Sequence, residues 1–577
     1  MSTAVTRAPA RERGDTAGLH LTTGTLVAAA LAVLVAQLAL AIPAVLNGLF
    51  QQDLGTTSSQ LTWISDAFLV PVTLLELTFG ALGDLFGRKR LLIIGAGLIV
   101  VGQLIGILTP GAGTATSSRV AVLWVGQALS GIGAAALFPT TLAMIAAGTH
   151  TAQERGRAIA IWAAALSAGN VVSPVAGGLV VKLAWGSDPT AGWRWAFILV
   201  IALAAISMGV SALFARDSSA PAGRSLDWPG QITVAVALFA LLFAVIQAST
   251  AGWGSTEVVV GFIVSILFLG LFVVVERSRP APLLRLDLFR NRAFAVTAIV
   301  TVSGMFAMLG TAYATSIRLS NIIGFSPLKT SIAFLLLNGL TLAQVPLMIR
   351  LLPRINPRWM LAGGFLLMAG GDFWLSRVSA ASLSITPNIP GLALVGFGFA
   401  FAISSVTAVS VNTVPEGLEG MASGTTSLLR DFGFTLGPAI IGAVALSRAA
   451  AEVHAQVVTS PAMQKALNAF YASPAHAPAA QRASAAAAVG AVKSGPLGEN
   501  AVPAQIPGPG GHPMPFNPLK HVAFHALDRA YSIGYLVCAG AAAVAFLLAA
   551  GGLGGHGEAR EPVEELEGEP ALSASET

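Results

Sequence analysis

Fourteen long apolar runs separated by short polar turns divide the chain from residue 23 to residue 553. A helix rises about 1.5 Å per residue, so about 20 uncharged residues cross a hydrocarbon core of about 30 Å, and only a helix satisfies its own backbone there. The pattern predicts helices near 23–49, 61–83, 90–109, 119–147, 156–183, 193–214 and 229–250. It continues with 257–276, 293–318, 328–351, 357–377, 388–412, 420–447 and 527–553. The fold class that follows is an all-α polytopic membrane protein.

The runs repeat. LSAGNVVSPVAGG, beginning at Leu166, matches LRDFGFTLGPAIIGA, beginning at Leu429, at an offset of 264 residues that pairs Gly169 with Gly433, Pro174 with Pro438 and Gly178 with Gly442. A weaker match at 268 residues pairs Arg90 with Arg358 and Gly95 with Gly363. Both offsets displace the pattern by eight helices. Two six-helix halves, 23–214 and 293–553, with two inserted helices at 229–276, give that displacement. Halves of this kind enclose a site at their interface and expose it to each side in turn. Chance matching of glycine-rich and proline-rich membrane helices is the alternative.

Composition agrees, and charge adds an orientation. The 577 residues are 55% hydrophobic and 10% charged, against about a quarter charged in soluble domains. The net charge of +5 does not form a basic patch, because the bases sit in short interhelical turns, and this excludes nucleic acid as a partner. Arg88, Lys89, Arg90, Arg155, Arg157, Arg216, Arg290, Arg292, Arg350, Arg354 and Arg358 lie on one side. Far fewer bases, among them Arg119, Lys182, Arg194, Arg318, Lys329 and Arg377, lie on the other. The bias places both termini in the cytoplasm, as a basic N-terminal tail (1–22) and an acidic C-terminal tail (554–577). Residues 448–526, rich in Ala, Pro and Gly, read as an extracytoplasmic loop with partial helix and little fixed structure. The lone Cys538 reads as packing.

The most specific local pattern is GALGDLFGRKR, from Gly80 to Arg90. Gly80 and Gly87 permit close helix approach and a tight reversal, while Asp84 can accept from a neighbouring helix N-terminus and be clamped by Arg88. This reads as a conformational latch between halves, with Lys89 and Arg90 as cytoplasmic anchors. The segment resembles the loop signature of the major facilitator superfamily. The helix carrying Gly169, Ser173, Pro174, Gly177 and Gly178 resembles the motif of that superfamily's exporters, and its small residues suit tight packing beside a bend at Pro174. GWRWAF (from Gly192), LDWPG (from Leu226), GFSPLKTS (from Gly324) and GMASGTTSLLRDFG (from Gly420) resemble the 14-span drug:proton antiporter branch. The resemblance implies a major facilitator fold, a monomer in the cell membrane, a small-molecule substrate, protons as coupling ion, and no cofactor. It departs at two positions: the acidic residue usual in the first helix is Ala39, and the arginine usual in the fourth is Gln127.

Buried acids offer other places for a proton. Glu76, eight residues before Asp84, lies about 12 Å from the cytoplasmic end of its helix. An ionised carboxylate at that depth costs at least about 3 kcal/mol, so exchange of a proton for a cationic substrate is one use and a purely structural pairing the other. Asp66 stands near the outer end of the same helix, as a guard of the outer mouth or a solvated helix end. Asp372 is a buried acid or a residue reaching water at a helix end. Arg430 and Asp431, about 100° apart around one helix, are expected to face different partners, Glu76 being one for Arg430. Gln37, Gln127, Asn338, Gln344 and Asn412 join Arg430 as candidate polar residues of a central cavity, with interhelical hydrogen bonding as their other use.

These readings point to export of hydrophobic or cationic small molecules by alternating access with proton antiport. A dedicated exporter of one endogenous metabolite and a non-transporting membrane sensor are the alternatives. A membrane enzyme is disfavoured, because no nucleophile elbow, metalloprotease helix or phosphate loop occurs. No metal site is expected: His512, His521 and His525 cluster only loosely.

Overall fold

The computed structural model describes residues 20–111, 113–149, 151–183, 189–219, 227–279, 282, 284, 286–351, 354–379, 384–412, 419–455 and 518–553. The chain enters through Thr23–Ala41 (α1) and, after a one-residue turn at Ile42, Pro43–Leu54 (α2). Ser58–Phe86 (α3), Arg88–Ile107 (α4), Thr116–Gly148 (α5), Ala152–Leu183 (α6) and Trp193–Phe214 (α7) follow, then Trp228–Ala251 (α8) and Thr256–Ser278 (α9). Arg292–Ile317 (α10) widens into a π-helical turn at Arg318–Ile322. Pro327–Phe334 (α11), a second π-helical turn at Leu335–Gly339, Leu340–Ala343 (α12) and Val345–Leu351 (α13) form one interrupted crossing. Pro357–Arg377 (α14), Ile389–Asn412 (α15), Glu419–His454 (α16) and Pro518–Gly552 (α17) complete the bundle. Among the described residues no strand occurs. Among the described residues, thirteen helical stretches are long and apolar enough to cross a membrane, and α14, with 21 residues and the charges of Arg358, Asp372 and Arg377, supplies a fourteenth crossing.

Helix ends follow local chemistry. Thr57 caps α3 reciprocally: its hydroxyl accepts the Gln60 backbone N–H, and the Gln60 side chain accepts the Thr57 N–H. Asp227, Asn291, Ser326 and Asn356 cap α8, α10, α11 and α14. Gly87 adopts a φ of +99°, so α3 reverses into α4 across a single residue. Because the crossings alternate, Thr23, Phe86, Gly148 and Gly552 mark one face of the bundle, the near face, and Leu54, Ile107, Leu183 and Ile322 mark the far face.

The packing repeats as the sequence match does. α4 packs on α5 and α7 as α14 packs on α15 and α17, and α1 packs on α6 as α10 packs on α16. The matched glycines occupy matching contacts. A Cβ on Gly169 would lie 2.7 Å from Gln37 Cβ of α1, and one on Gly433 would lie 2.6 Å from the Val302 carbonyl of α10. Further along, Gly178 abuts the Leu328 backbone of α11 at 2.7 Å, and Gly442 abuts Thr62 of α3 at 3.0 Å. The sets join chiefly along two seams, α3 on α16 and α6 on α11, and α2 of the first set also packs on α10 and α11 of the second. α8 lies outside them, against α3, α16 and α9, and α9 exposes Ile263, Ile266, Leu267 and Val274 as a lipid-facing surface.

Three boundaries differ most from the sequence reading. The first crossing reaches Leu54, α16 reaches His454, and α17 starts at Pro518 rather than near 527. The α16 extension is alanine-rich and favours helix, and an Arg529–Glu452 ion pair of 2.5 Å ties it to α17. Residues 448–454 and 518–526 therefore belong to helices, not to the predicted outer loop. The rest of that loop, with His512, and both predicted tails up to residue 19 and from 554 lie outside the described residues.

Candidate functional site

The far face is closed by hydrogen bonds between the two sets. Asn47 of α2 donates to Ser316 of α10 at 2.9 Å, Ser316 donates to the Ala44 carbonyl, and Asn321 donates to Gln51 at 2.5 Å. Deeper, the hydroxyls of Thr62 and Tyr313 share a bond of 2.9 Å between α3 and α10. On the α3–α16 seam, Thr73 and Thr435 share a bond of 2.9 Å.

One turn from Thr73 toward the near face sits a charged cluster. The Arg430 guanidinium reaches Glu76 at 4.0 Å and is held by both oxygens of Asp431 at 2.9 and 3.2 Å. The expectation that Arg430 and Asp431 diverge is thus corrected: Cβ directions do diverge, but the arginine side chain is long enough to fold back onto its neighbour. Glu76 also faces Asp431, and its Oε2 is buried without a hydrogen-bond partner. Two carboxylates share one guanidinium, and Asp431 holds the closer share. The cluster therefore carries one acid in excess, in a place where an unpaired charge is costly.

The other acids are sealed. Asp66 is fully buried with neither oxygen partnered, so the solvated-end reading fails: α3 begins at Ser58, three residues earlier than the pattern predicted, and Tyr313 of α10 stands beside the acid. Asp372 is also fully buried, accepting from Thr311 at 2.5 Å, because α14 packs on α15 and α17 along the turn that carries it. It does not reach water.

The polar candidates scatter. Gln37 donates to Asn170 at 2.6 Å between α1 and α6, Gln344 donates to the Phe397 carbonyl at 3.5 Å, and Asn338 sits in the second π-helical turn, half-buried. Gln127 is buried with both amide atoms unpartnered. The side chain of Asn412 lies outside the described residues. On α6, Ser173 is fully buried with an unpartnered hydroxyl, and Gly177 packs on Ile42 and Val45.

At the near face Arg88 clamps Asp84 at 2.6 Å and also donates to Ser218 at 3.2 Å. Asp217 accepts the Lys89 backbone N–H at 3.0 Å and lies where a side chain on Gly87 would be, while Gly80 packs on Pro139 of α5. These contacts tie α3 and α4 to the segment after α7, within the N-terminal set.

Sequence reasoning missed two constellations. Asp53 ends α2 by accepting from Arg119 at 2.6 Å, Trp193 at 2.7 Å and Arg194 at 2.9 Å, while Arg119 also takes the carbonyls of Asp53 and Pro110. Its partners lie 66 to 141 residues away, and no spacing announces them. The second is a tyrosine cluster: Tyr313, Tyr531 and Tyr535 are three of the four tyrosines in the chain, all buried between α10 and α17. Their placement inside predicted spans was the available signal.

Repeated helix sets, sealed at one face around a buried charged crossing, define a membrane solute transporter rather than an enzyme. The sequence model of the Major Facilitator Superfamily matches residues 25–438, and the chain belongs to that family. It is 31% identical over 395 residues to the multidrug resistance protein Stp of Mycobacterium tuberculosis, covering 68% of this chain and 70% of that protein. It is 29% identical over 429 residues to the tetracenomycin C resistance and export protein of Streptomyces glaucescens, covering 74% and 76%. Among solved structures, the inward-facing, unoccupied bacterial homologue of the human lysosomal transporter Spinster aligns with a TM-score of 0.56 at 15% identity, over 91% of this chain and 96% of that one. This last likeness speaks to fold.

Proposed function

We propose that the protein exports hydrophobic small molecules, cationic ones included, from the cytoplasm by proton antiport. The near face is the cytoplasmic one, with both termini there, and residues 23–214 and 293–553 are the halves that move. The observation that carries this reading is the excess acid at the α3–α16 crossing: Glu76 lies 4.0 Å from an arginine already held by Asp431. A proton and a substrate cation are alternative ways to neutralise it, and competition of the two for one carboxylate is the simplest physical basis of antiport. The resistance proteins similar to this chain support a drug-like substrate. Asp84 and Arg88 serve as a cytoplasmic latch within the N-terminal half, tying α3 and α4 to the segment after α7 rather than to the other half, and Gly169, Pro174 and Gly178 serve as the close-packed surface on which α6 moves against α1 and α11.

The test is efflux from proteoliposomes under an imposed proton gradient. Glu76→Gln is expected to abolish proton-coupled efflux while leaving counterflow of substrate, and full coupled efflux in that variant defeats the coupling assignment. The name of the tetracenomycin C export protein favours a second reading, export of one dedicated compound. A drug panel against which only one chemotype is moved selects it.

A further inference from the structure

The two seams between the helix sets correspond under the repeat, yet they are built differently. The α3–α16 seam is tied by Thr73 to Thr435 and by Glu76 to Arg430. α8 lies across it: Gln231 bonds to Thr78 and to the Leu74 carbonyl, and Leu242, Val245 and Ile246 pack with Val70, Ala439 and Ala443. Since α8 packs on α3 and α16, and α9 on α8, the inserted pair leaves the α6–α11 seam without a cover of this kind.

That second seam is tight at its far end, where a Cβ on Gly178 would lie 2.7 Å from Leu328 Cα. Toward the near face α6 continues against the second π-helical turn and α12, but neither side buries the other. None of the described side chains of α6 between Ala158 and Gly169 is buried, nor any between Leu337 and Gln344 on the facing crossing. Residues 163–168 turn through more than one revolution, so α6 is uncovered toward the interior as well as toward lipid. Both stretches lie about 9–18 Å from Arg157 and Arg350 at the near-face ends, and so in the near-face half of the bilayer. The facing crossing is irregular at the same depth: it widens at Leu335–Gly339, breaks at Gln344, and Pro346 offers no N–H to the Leu342 carbonyl. Irregular backbone at membrane depth is tolerated where protein buries it or where it lines a water-filled cavity, and this stretch is not buried. Just inside it, the Thr341 hydroxyl and Gln344 Oε1 are enclosed without hydrogen-bond partners, while Gln344 Nε2 donates to the Phe397 carbonyl of α15 at 3.5 Å. A buried acceptor left unmatched favours a ligand that brings a donor.

We propose that the gap between residues 163–168 of α6 and 338–343 of the facing crossing is a lateral window that admits an uncharged, lipid-soluble amphiphile from the near-face leaflet, and that Thr341 and Gln344 receive its hydroxyl or N–H group. α6 carries no charge between Arg157 and Lys182, and the facing crossing none between Lys329 and Arg350, so nothing there compensates a charged head group. An amine substrate therefore enters in its neutral form. α8 leaves this seam as the side entrance by covering the other. The direction of travel rests on the exporter reading; occupancy of the window does not.

The test photolabels the full chain in nanodiscs with a diazirine-bearing octanol, beside the matching diazirine-bearing octane, and maps the adducts by peptide mass spectrometry. Saturable labelling of 163–168 and 338–344 is expected, about fivefold stronger with the alcohol, the factor that one net hydrogen bond of about 1 kcal/mol gives. Gln344→Leu is expected to remove most of that preference. Ala164→Trp with Ala343→Trp, both at exposed positions, is expected to abolish labelling of the two stretches while the lipid-facing side of α9 stays labelled. In proteoliposomes the same pair is expected to slow efflux of tritiated corticosterone, a neutral lipid-soluble steroid alcohol. Equal labelling by alcohol and hydrocarbon, which marks acyl chains as the occupant, overturns the proposal, as does labelling that does not saturate or that spreads over every lipid-facing helix. Photolabelling needs no transport, so a window that labels as expected in a protein that moves no solute under an imposed proton gradient sinks the exporter reading and leaves the window standing.

Discussion

Substituting Asp53 tests how much of the far-face architecture depends on one carboxylate. Its Oδ1 takes Arg119 at 2.6 Å, and its Oδ2 takes Trp193 at 2.7 Å and Arg194 at 2.9 Å. Arg119 is buried and Arg194 is partly exposed, with side-chain accessibilities of 5% and 21%. Breaking a buried pair leaves an uncompensated charge at about 3–5 kcal/mol, whereas a more exposed pair contributes about 0–1 kcal/mol. Arg119 keeps two backbone carbonyls after the loss, which places Asp53→Ala near the lower end, about 3 kcal/mol. Asp53→Asn should also destabilise, since its NH2 group would face either Arg119 or the Trp193 and Arg194 donors while only its carbonyl oxygen still accepts. Reversible unfolding titrations in mixed micelles measure the change. Arg119→Met should cost a similar amount, Arg194→Ala about 1 kcal/mol or less, and Asp53→Ala combined with Arg119→Met less than the sum of the two. Additive single effects, or an Arg194 variant as damaging as the Arg119 variant, would refute the argument that burial sets the size of the effect.

Two further substitutions probe the seams and the interior. Gly178→Leu forces a side chain into the α11 backbone, 2.7 Å from Leu328 Cα, and should abolish efflux while the protein still accumulates in the membrane; Gly177→Ala, whose nearest neighbour is 3.4 Å away, should be tolerated. Both are read by vesicle efflux beside expression level, and an active Gly178→Leu would show that the α6–α11 contact yields. Gln127→Leu removes a buried amide with no partner, which costs about 1–3 kcal/mol to leave unsatisfied, and should raise the micelle unfolding free energy by about 1 kcal/mol. A loss of stability there would reveal a partner for the amide.

The crossings were legible because lipid imposes one length and one composition on each, and α4, α7 and α14 fall within two residues of the pattern. Ends set by tertiary contact were not. Nothing local distinguishes the alanines of 449–451 in α16 from those of a linker, and the ion pair that holds the extension comes from Arg529. The sequence leaves Asp66 open between a guard of the outer mouth and a solvated end, because distance along one helix measures nearness to water only if no second helix covers that end. Glu76 and Arg430 were brought together by counting turns inward from two recognisable motifs. The Asp53 clamp has no such marker, since its three donors are assembled by packing alone.

The attachment of α8 constrains the motion expected of the bundle. On one side it is pinned to α3 by polar contacts, Thr78 donating to Gln231 at 2.5 Å and Gln231 donating to the Leu74 carbonyl. Toward α16 its Leu242, Val245 and Ile246 pack on Ala439 and Ala443 as an aliphatic cluster. Directional bonds resist displacement, whereas smooth aliphatic surfaces exchange neighbours at little cost. If the halves move as proposed, α8 would serve them as a sliding bearing, fixed to α3 by directional bonds and meeting α16 through aliphatic packing.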